Sequence, residues 1–314
     1  KPVGNNFKGM HLGGGESGNL TDQNKYGYTF AYPSNTLIDY VARKGFGLIR
    51  LSFKAGRLQP DRNGALDPVE LGRIDKVVQY AHSKGLYVLL DPHDYGSLPD
   101  ADKSGKKIGS ADMPASKFAN FWAHVAAAYI NQPNVLFGLI NEPYGINART
   151  WQSSAIAAVS AIRSVGAKQK IFIPGVSWTG AHSWISSGNA AVWANFHETN
   201  SVFEIHQYFD SDSSGTNATC STNVGVKRFS GFTAWAEANS QKGFLGEVGW
   251  GANANCETEA EAAFDHMDSH PNAYLGWSYF GAGWYNGFMT LNPANLGQAN
   301  EADQPQTTLI LEHL

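Results

Sequence analysis

Short apolar runs rich in β-branched residues alternate along the chain with longer segments of helical period. Strands are predicted over 7–12, 48–53, 87–93, 135–142, 170–174, 202–210, 243–248 and 274–280. Between them apolar residues recur three, four and seven positions apart. Ile74, Val77, Val78 and Ala81 do so, as do Phe118, Trp122, Val125 and Tyr129, and Trp151, Ala155, Ala158, Val159 and Ile162. Each set marks one face of an α-helix. Gly85 and Pro133 stop the first two, and a last helix is expected over 309–313. Alternating strands and helices predict an α/β protein with a parallel sheet and right-handed crossovers. Eight such units fit a closed (β/α)8 TIM barrel. It is expected as a single domain over 1–314, because no linker, charge block or internal repeat divides the chain. An open doubly wound sheet is the alternative; it usually has fewer strands and a phosphate loop after the first.

Composition narrows the partners. A chain of 314 residues that is 42% hydrophobic and 16% charged can bury a large core. Its net charge of -4 argues against nucleic acid and anionic membranes as main partners. No apolar run reaches the length of a membrane span. Low charge with many Trp and Tyr suits neutral, hydrogen-bonding ligands. The start at Lys1-Pro2 reads as a processed or trimmed form. Cys220 and Cys256 lie in Ser/Thr/Asn-rich stretches, read as loops. The pair fits one disulfide and an oxidising compartment, with two free thiols as the alternative. A structural zinc site needs four closely spaced ligands, which these two do not supply.

Two motifs have blander readings than their patterns suggest. Gly13, Gly15 and Gly18 satisfy G-x-G-x-x-G after the first strand, but the residues that follow have no helical period. A dinucleotide site needs a helix there, so that its amides meet the pyrophosphate. A loop at the barrel mouth is expected instead, with Glu16 able to touch a ligand. Residues 210–215 resemble the start of a calcium loop, yet the twelfth position is Ser221 rather than a bidentate Glu. An Asx-rich turn is the expected form.

The chemistry gathers at the predicted strand ends, where barrels of this kind place catalytic groups. The apolar run from Val135 stops at Asn141-Glu142-Pro143. A buried, unpaired carboxylate is costly, so Glu142 is either paired or there for chemistry. The other strand ends carry Arg50, His93, His206 with Tyr208, Glu247, and aromatics around Trp277 and Phe280. Any one of these has a structural reading, as a salt-bridge partner or a bonded core histidine. So many polar strand ends on one axis are harder to explain that way, because each must be satisfied. Glu142 and Glu247 suggest an acid/base and a nucleophile acting on an acetal. Asn141 is placed to bond a sugar hydroxyl, and Tyr208 and Arg50 to keep Glu247 ionised. Trp178, Trp277 and Phe280 offer flat faces for pyranose rings. Asp91 and Glu204, two residues before His93 and His206, read as structural partners of Arg50 or the histidines.

The stretches "IRLSF", "LLDPHDY", "GLINEP", "IHQYFDSDSSGTNATC" and "LGEVGW" run in order across nearly the whole chain. With them the sequence resembles glycoside hydrolase family 5, within its endo-β-1,4-glucanase group. The resemblance implies Glu142 as general acid/base and Glu247 as nucleophile. It implies Asn141, Arg50, His93, His206 and Tyr208 as the supporting shell. It also implies secretion, a Cys220–Cys256 bridge, no cofactor or metal, and a poly- or oligosaccharide substrate; a monomer is expected. One departure bears on substrate choice. Where the family has a platform Trp on the eighth strand, this chain has Phe280, with Trp277 three residues earlier. Hydrolysis of another β-linked glycan is therefore the rival expectation. A metal-dependent barrel hydrolase would need His-x-His on strand one, where only His11 stands. A non-catalytic carbohydrate-binding barrel would not need both Glu residues.

Overall fold

The structure, a computed structural model, describes residues 4–21 and 24–314. Eight parallel strands form a closed barrel. They are β1 (Lys8–Gly13), β2 (Leu48–Phe53), β3 (Tyr87–Pro92), β4 (Val135–Gly138), β5 (Ile171–Pro174), β6 (Ser201–His206), β7 (Gly243–Glu247) and β8 (Tyr274–Gly283). Each pairs with its sequence neighbours, and β8 pairs back onto β1. The crossovers carry α1 (Asn35–Arg43), α2 (Pro68–Ser83), α3 (Ala115–Ala128), α4 (Ala148–Ser164), α5 (Lys227–Ala238) and α6 (Ala254–Asp268), and α7 (Pro305–Leu311) follows β8. Between β5 and β6 the helix shrinks to Asn189–Trp193. All eight expected strands are present. The fourth and sixth end earlier than expected, and the chain beyond them turns into loops at the barrel mouth.

Local sequence explains the elements. Asp67 accepts a hydrogen bond from the Glu70 amide and precedes Pro68, which starts α2. Strand β2 is buried at all six positions, as expected of a strand covered on both faces. Inside the barrel, alternation sorts side chains into layers. Phe7, Leu48, Leu89, Leu136, Phe172, Val202 and Phe244 close the bottom as a small apolar cluster. Two residues further along β2, β3 and β6 stand Arg50, Asp91 and Glu204, and two further Ser52, His93 and His206. The apolar plug thus holds a charged layer above it, out of water. Larger apolar packing lies between the strands and the helices.

Strand β7 breaks this alternation where it matters. Phe244 faces the interior, so Gly246 does too and Glu247 should point outward. The pairing with β6 slips one residue between Ile205 and His206, a bulge that turns Glu247 inward as well. Gly246 is required there, because a Cβ would lie 2.5 Å from the Glu204 carboxyl carbon.

Candidate active site

Arg50 is the hub of the charged layer and is 1% exposed. Its guanidinium donates to Glu247 Oε2 at 2.8 Å and to Asn141 Oδ1 at 2.9 Å. It also lies 3.3 Å from both Asp91 and Glu204. Asp91 and Glu204 thus take the supporting places expected of them: Asp91 Oδ2 meets His93 Nδ1 at 2.7 Å, and Glu204 Oε2 meets His206 Nε2 at 2.9 Å.

Glu142 and Glu247 face each other across His206. One oxygen of each and His206 Nδ1 all lie within 4.8 Å of one another. His206 Nδ1 is 2.7 Å from Glu142 Oε2. Both ring nitrogens of His206 therefore meet carboxyls, which suits the doubly protonated ring. Burial opposes its charge, but the field of Glu247 and the bonds to Glu142 and Glu204 outweigh it, lifting its pKa to about 10. The two glutamates are pushed in opposite directions. Burial and the charge of Glu247 raise the Glu142 pKa, against the pull of His206. Burial also opposes ionisation of Glu247, yet His206 and Arg50 outweigh it and hold its pKa near 2. Tyr208 donates to Glu247 Oε1 at 2.6 Å, and burial with that neighbouring charge raises the phenol well above its usual range.

His93 obeys a different constraint. Burial disfavours a second proton, whereas Asp91 favours one. Its Nε2, however, faces Asn141 Nδ2 at 3.2 Å, and the Asn141 oxygen is already taken by Arg50. An amide N–H can donate only to an unprotonated ring nitrogen, so these bonds match the neutral ring with its proton on Nδ1. Asn141 has no exposed surface.

The mouth beside Glu142 opens into a cleft of about 500 Å³ lined by Tyr95, Glu142, Trp178, His182, His206, Tyr208 and Ser213, among others. Trp178 is 53% exposed and stacks on Tyr144 at 5.0 Å with a 6° tilt. Backbone strain sets both walls. Glu142 has φ 39°, and Ser177, Trp178 and Thr179 run through φ 55°, 56° and 51°. Such left-handed stretches of non-glycine residues persist only when neighbours hold them. Here Trp178 N–H donates to Pro143 O, and Thr179 Oγ1 bonds both Gly175 N and Glu204 O.

Across the mouth lie the remaining predicted contacts. Phe280 is partly buried, with His11 4.7 Å and Tyr285 5.0 Å from its ring centre. Glu16 accepts from the Gly14 amide at 2.9 Å, within its own loop. The next helix along the chain among the described residues begins only at Asn35, so no helix opens directly out of that glycine loop. Trp277 is a correction. It is 2% exposed and packs on Phe46 and Phe264 in the helix layer, away from the mouth. Strand alternation explains this, since residues three apart on β8 point to opposite faces. In the 210–215 segment Asp212 accepts from the Ser214 amide two residues on, as an Asx turn requires, and Asp210 accepts from the amides of Gly215, Thr216 and Asn217. Cys220 and Cys256 are joined, but Cys256 sits in the first turn of α6 rather than in a loop.

Some residues of the site were not singled out in the sequence. Tyr95 lies edge-on to His93 at 5.2 Å, Tyr144 backs Trp178, and Ser52 bonds Asp91 at 2.6 Å. Trp284, 44% exposed, lies over Gly14. Tyr95 closes the quoted stretch that carries His93 and Tyr144 directly follows the one that carries Glu142, and that adjacency was the available signal.

A parallel barrel whose mouth carries two carboxyls with opposed ionisation has the makings of a glycoside hydrolase. The comparisons with known proteins agree. The family described as Cellulase (glycosyl hydrolase family 5) matches residues 4–283. An endoglucanase of Neurospora crassa, gh5-1, is 34% identical over 286 residues, covering 90% of this chain and 71% of that protein. The solved endo-β-1,4-glucanase Xac0029 of Xanthomonas axonopodis pv. citri superposes with a TM-score of 0.92 at 34% identity, covering 98% of both chains. XacCel5A, solved in complex with cellopentaose, has a TM-score of 0.92 at 36% identity and covers 98% of this chain and 99% of its own. The chain belongs to glycosyl hydrolase family 5 and is a glycoside hydrolase.

Proposed function

We propose that this protein is a retaining endo-β-1,4-glucanase in which Glu247 is the nucleophile and Glu142 the general acid/base. The observation that carries the reading is the close approach of two carboxyls whose ionisation is driven apart. Retaining enzymes hold the pair about 5–5.5 Å apart, whereas inverting ones leave about 6.5–9.5 Å for a water. An oxygen pair within 4.8 Å favours the first.

In the first step Glu247 attacks the anomeric carbon while Glu142 gives its proton to the departing glycosidic oxygen. A glycosyl ester on Glu247 and a shortened chain result. The ester is neutral, so the charge that helped raise the Glu142 pKa is gone. Glu142 then takes a proton from water, whose oxygen attacks the same carbon and releases Glu247. Arg50 and Tyr208 occupy the two oxygens of Glu247 and keep it ionised and oriented. His206 holds Glu142 in reach, and Trp178 with Tyr144 offers a flat wall for a sugar beyond the cleavage point. The glucan substrate rests on the names of the relatives and on the cellopentaose of the solved neighbour. Secretion fits the disulfide. No helix among the described residues is long and apolar enough to cross a membrane. A single catalytic domain acting as a monomer without a cofactor completes the reading.

Replacing Glu247 by Ala tests it. Turnover of a β-glucan should fall by about 10⁴-fold or more, the scale of a lost nucleophile. Azide should restore turnover of an activated glycoside and give the α-glycosyl azide. Near-normal hydrolysis by Glu247→Ala would refute the assignment.

A further inference from the structure

Away from the mouth, α6 and α7 border an open groove of about 650 Å³ lined by Glu257, Glu261, Asp265, Thr308 and Glu312, among others. Beside it the His313 ring is buried, with 6% of the residue exposed. Three contacts fix it. Nδ1 donates to Asp268 Oδ2 at 2.6 Å, the ring lies 5.3 Å from Phe264, and Lys8 Nζ bonds the His313 carbonyl at 2.6 Å. Nε2 is buried and makes no hydrogen bond. It is aimed at Glu261 Oε1, 3.5 Å away. One ligand-type atom each of Glu261, Asp265 and His313 lies within 4.8 Å of the others.

We propose that Glu261, Asp265 and His313 form a binding site for a zinc-type divalent cation that ties α7 to α6. Glu261 and Asp265 are four apart on α6 and so share a face. The carboxylate on Nδ1 leaves the Nε2 lone pair toward the acids, as in the carboxylate–histidine–zinc arrangement. Two ligands held about 2.0–2.1 Å from a tetrahedral ion lie roughly 3.3 Å apart, close to the 3.5 Å between Nε2 and Glu261 Oε1. The Glu261 and Asp265 side chains make no hydrogen bonds among the described residues, so both are free to turn onto the ion. One imidazole with two carboxylates suits zinc and its first-row neighbours; calcium takes oxygen ligands only. The groove gives access from solvent, and Glu257 and Glu312 add negative potential along it. Among the described residues the other two such clusters, His11–Asp91–His93 and Glu142–His206–Glu247, belong to the charged layer at the barrel mouth.

The experiment is calorimetric titration of metal-stripped protein with zinc chloride, in the wild type and in Glu261→Gln/Asp265→Asn. The wild type should bind one equivalent with micromolar affinity or better and show a raised thermal midpoint. The double variant should lose at least 100-fold in affinity, and zinc taken up at the mouth would survive in it. Asp268→Asn, which removes no ligand, should lose about 10–100-fold. Cobalt(II) on the wild type should give tetrahedral visible bands absent from the double variant, a readout that needs no change at His313. Equal binding by wild type and double variant, an adventitious ion only, would overturn the site. So would binding unchanged in His313→Gln, or a cobalt spectrum common to both proteins.

Discussion

Phe280 occupies the inward face of β8 at the mouth, with His11 beneath it and Tyr285 at its edge. Burial and the charge of Arg50 lower the His11 pKa well below its ordinary value, so a neutral ring supports the phenyl group. Resemblance to the family places an indole at this position. An indole presents more apolar face, and the difference in stacking is about 0.5–1.5 kcal/mol, or roughly threefold to tenfold in binding or rate. Phe280→Trp should therefore raise activity on carboxymethylcellulose relative to mixed-linkage glucan and mannan. Trp277 cannot compensate, because it is locked in the helix layer. An unchanged substrate ranking in a side-by-side assay would assign Phe280 to packing alone.

Two elements at the mouth owe their form to distortion. The bulge on β7 turns Glu247 inward, and the left-handed turn after β5 sets Trp178 against Tyr144. The disulfide works at the same scale. It joins the long loop after β6 to the first turn of α6 across 36 residues. By the chain-entropy model such a closure is worth about 3–4 kcal/mol, with less often found in practice. Cys220→Ala/Cys256→Ala should lower the urea midpoint accordingly and steepen the slope, because the unfolded chain without its cross-link exposes more surface. A midpoint equal to that of the wild type would show that the loop is held by its other bonds, such as those of Asn253 and Asn255 to the backbone of Ala218 and Cys220.

For the molecule as a whole, the charged layer predicts how stability follows pH. His206 is raised in the fold from its ordinary 6.5 to about 10. Its contribution is complete below pH 6.5 and is lost as pH rises through about 10. Glu247 is lowered from 4.5 to about 2, so its contribution holds above pH 4.5 and is lost toward pH 2. Asp94, raised by burial to about 6, adds a gentler loss as pH rises from 3.8. The melting temperature should therefore peak in the mildly acid range and fall from pH 6.5 toward 10. The His206 slope is at most about 1.4 kcal/mol per pH unit. Melting curves of His206→Gln against the wild type isolate it. A decline of equal steepness in the variant between pH 7 and 10 would assign the loss to other groups.

The eight strands and the main helical faces were legible because hydrophobic period is a local property of the chain. The polar strand positions were legible for the same reason: Arg50, His93, Glu142, His206 and Glu247 each interrupt or closely follow a short apolar run. Strand parity alone separates Trp277 from Phe280, and applying it would have placed Trp277 outside. Tertiary structure decided the rest. A one-residue slip against β6 sets the direction of Glu247, and the hydrogen bonds of Asn141 set the protonation of His93. The opposed ionisation of Glu142 and Glu247 arises from burial and from charges brought together by barrel closure. The pairing of Glu261 and Asp265 with His313, about fifty residues later, likewise exists only once α7 docks on α6. Local pattern fixes which face of a segment is apolar; fields and hydrogen-bond partners depend on distances through space, which are set only when the segments pack.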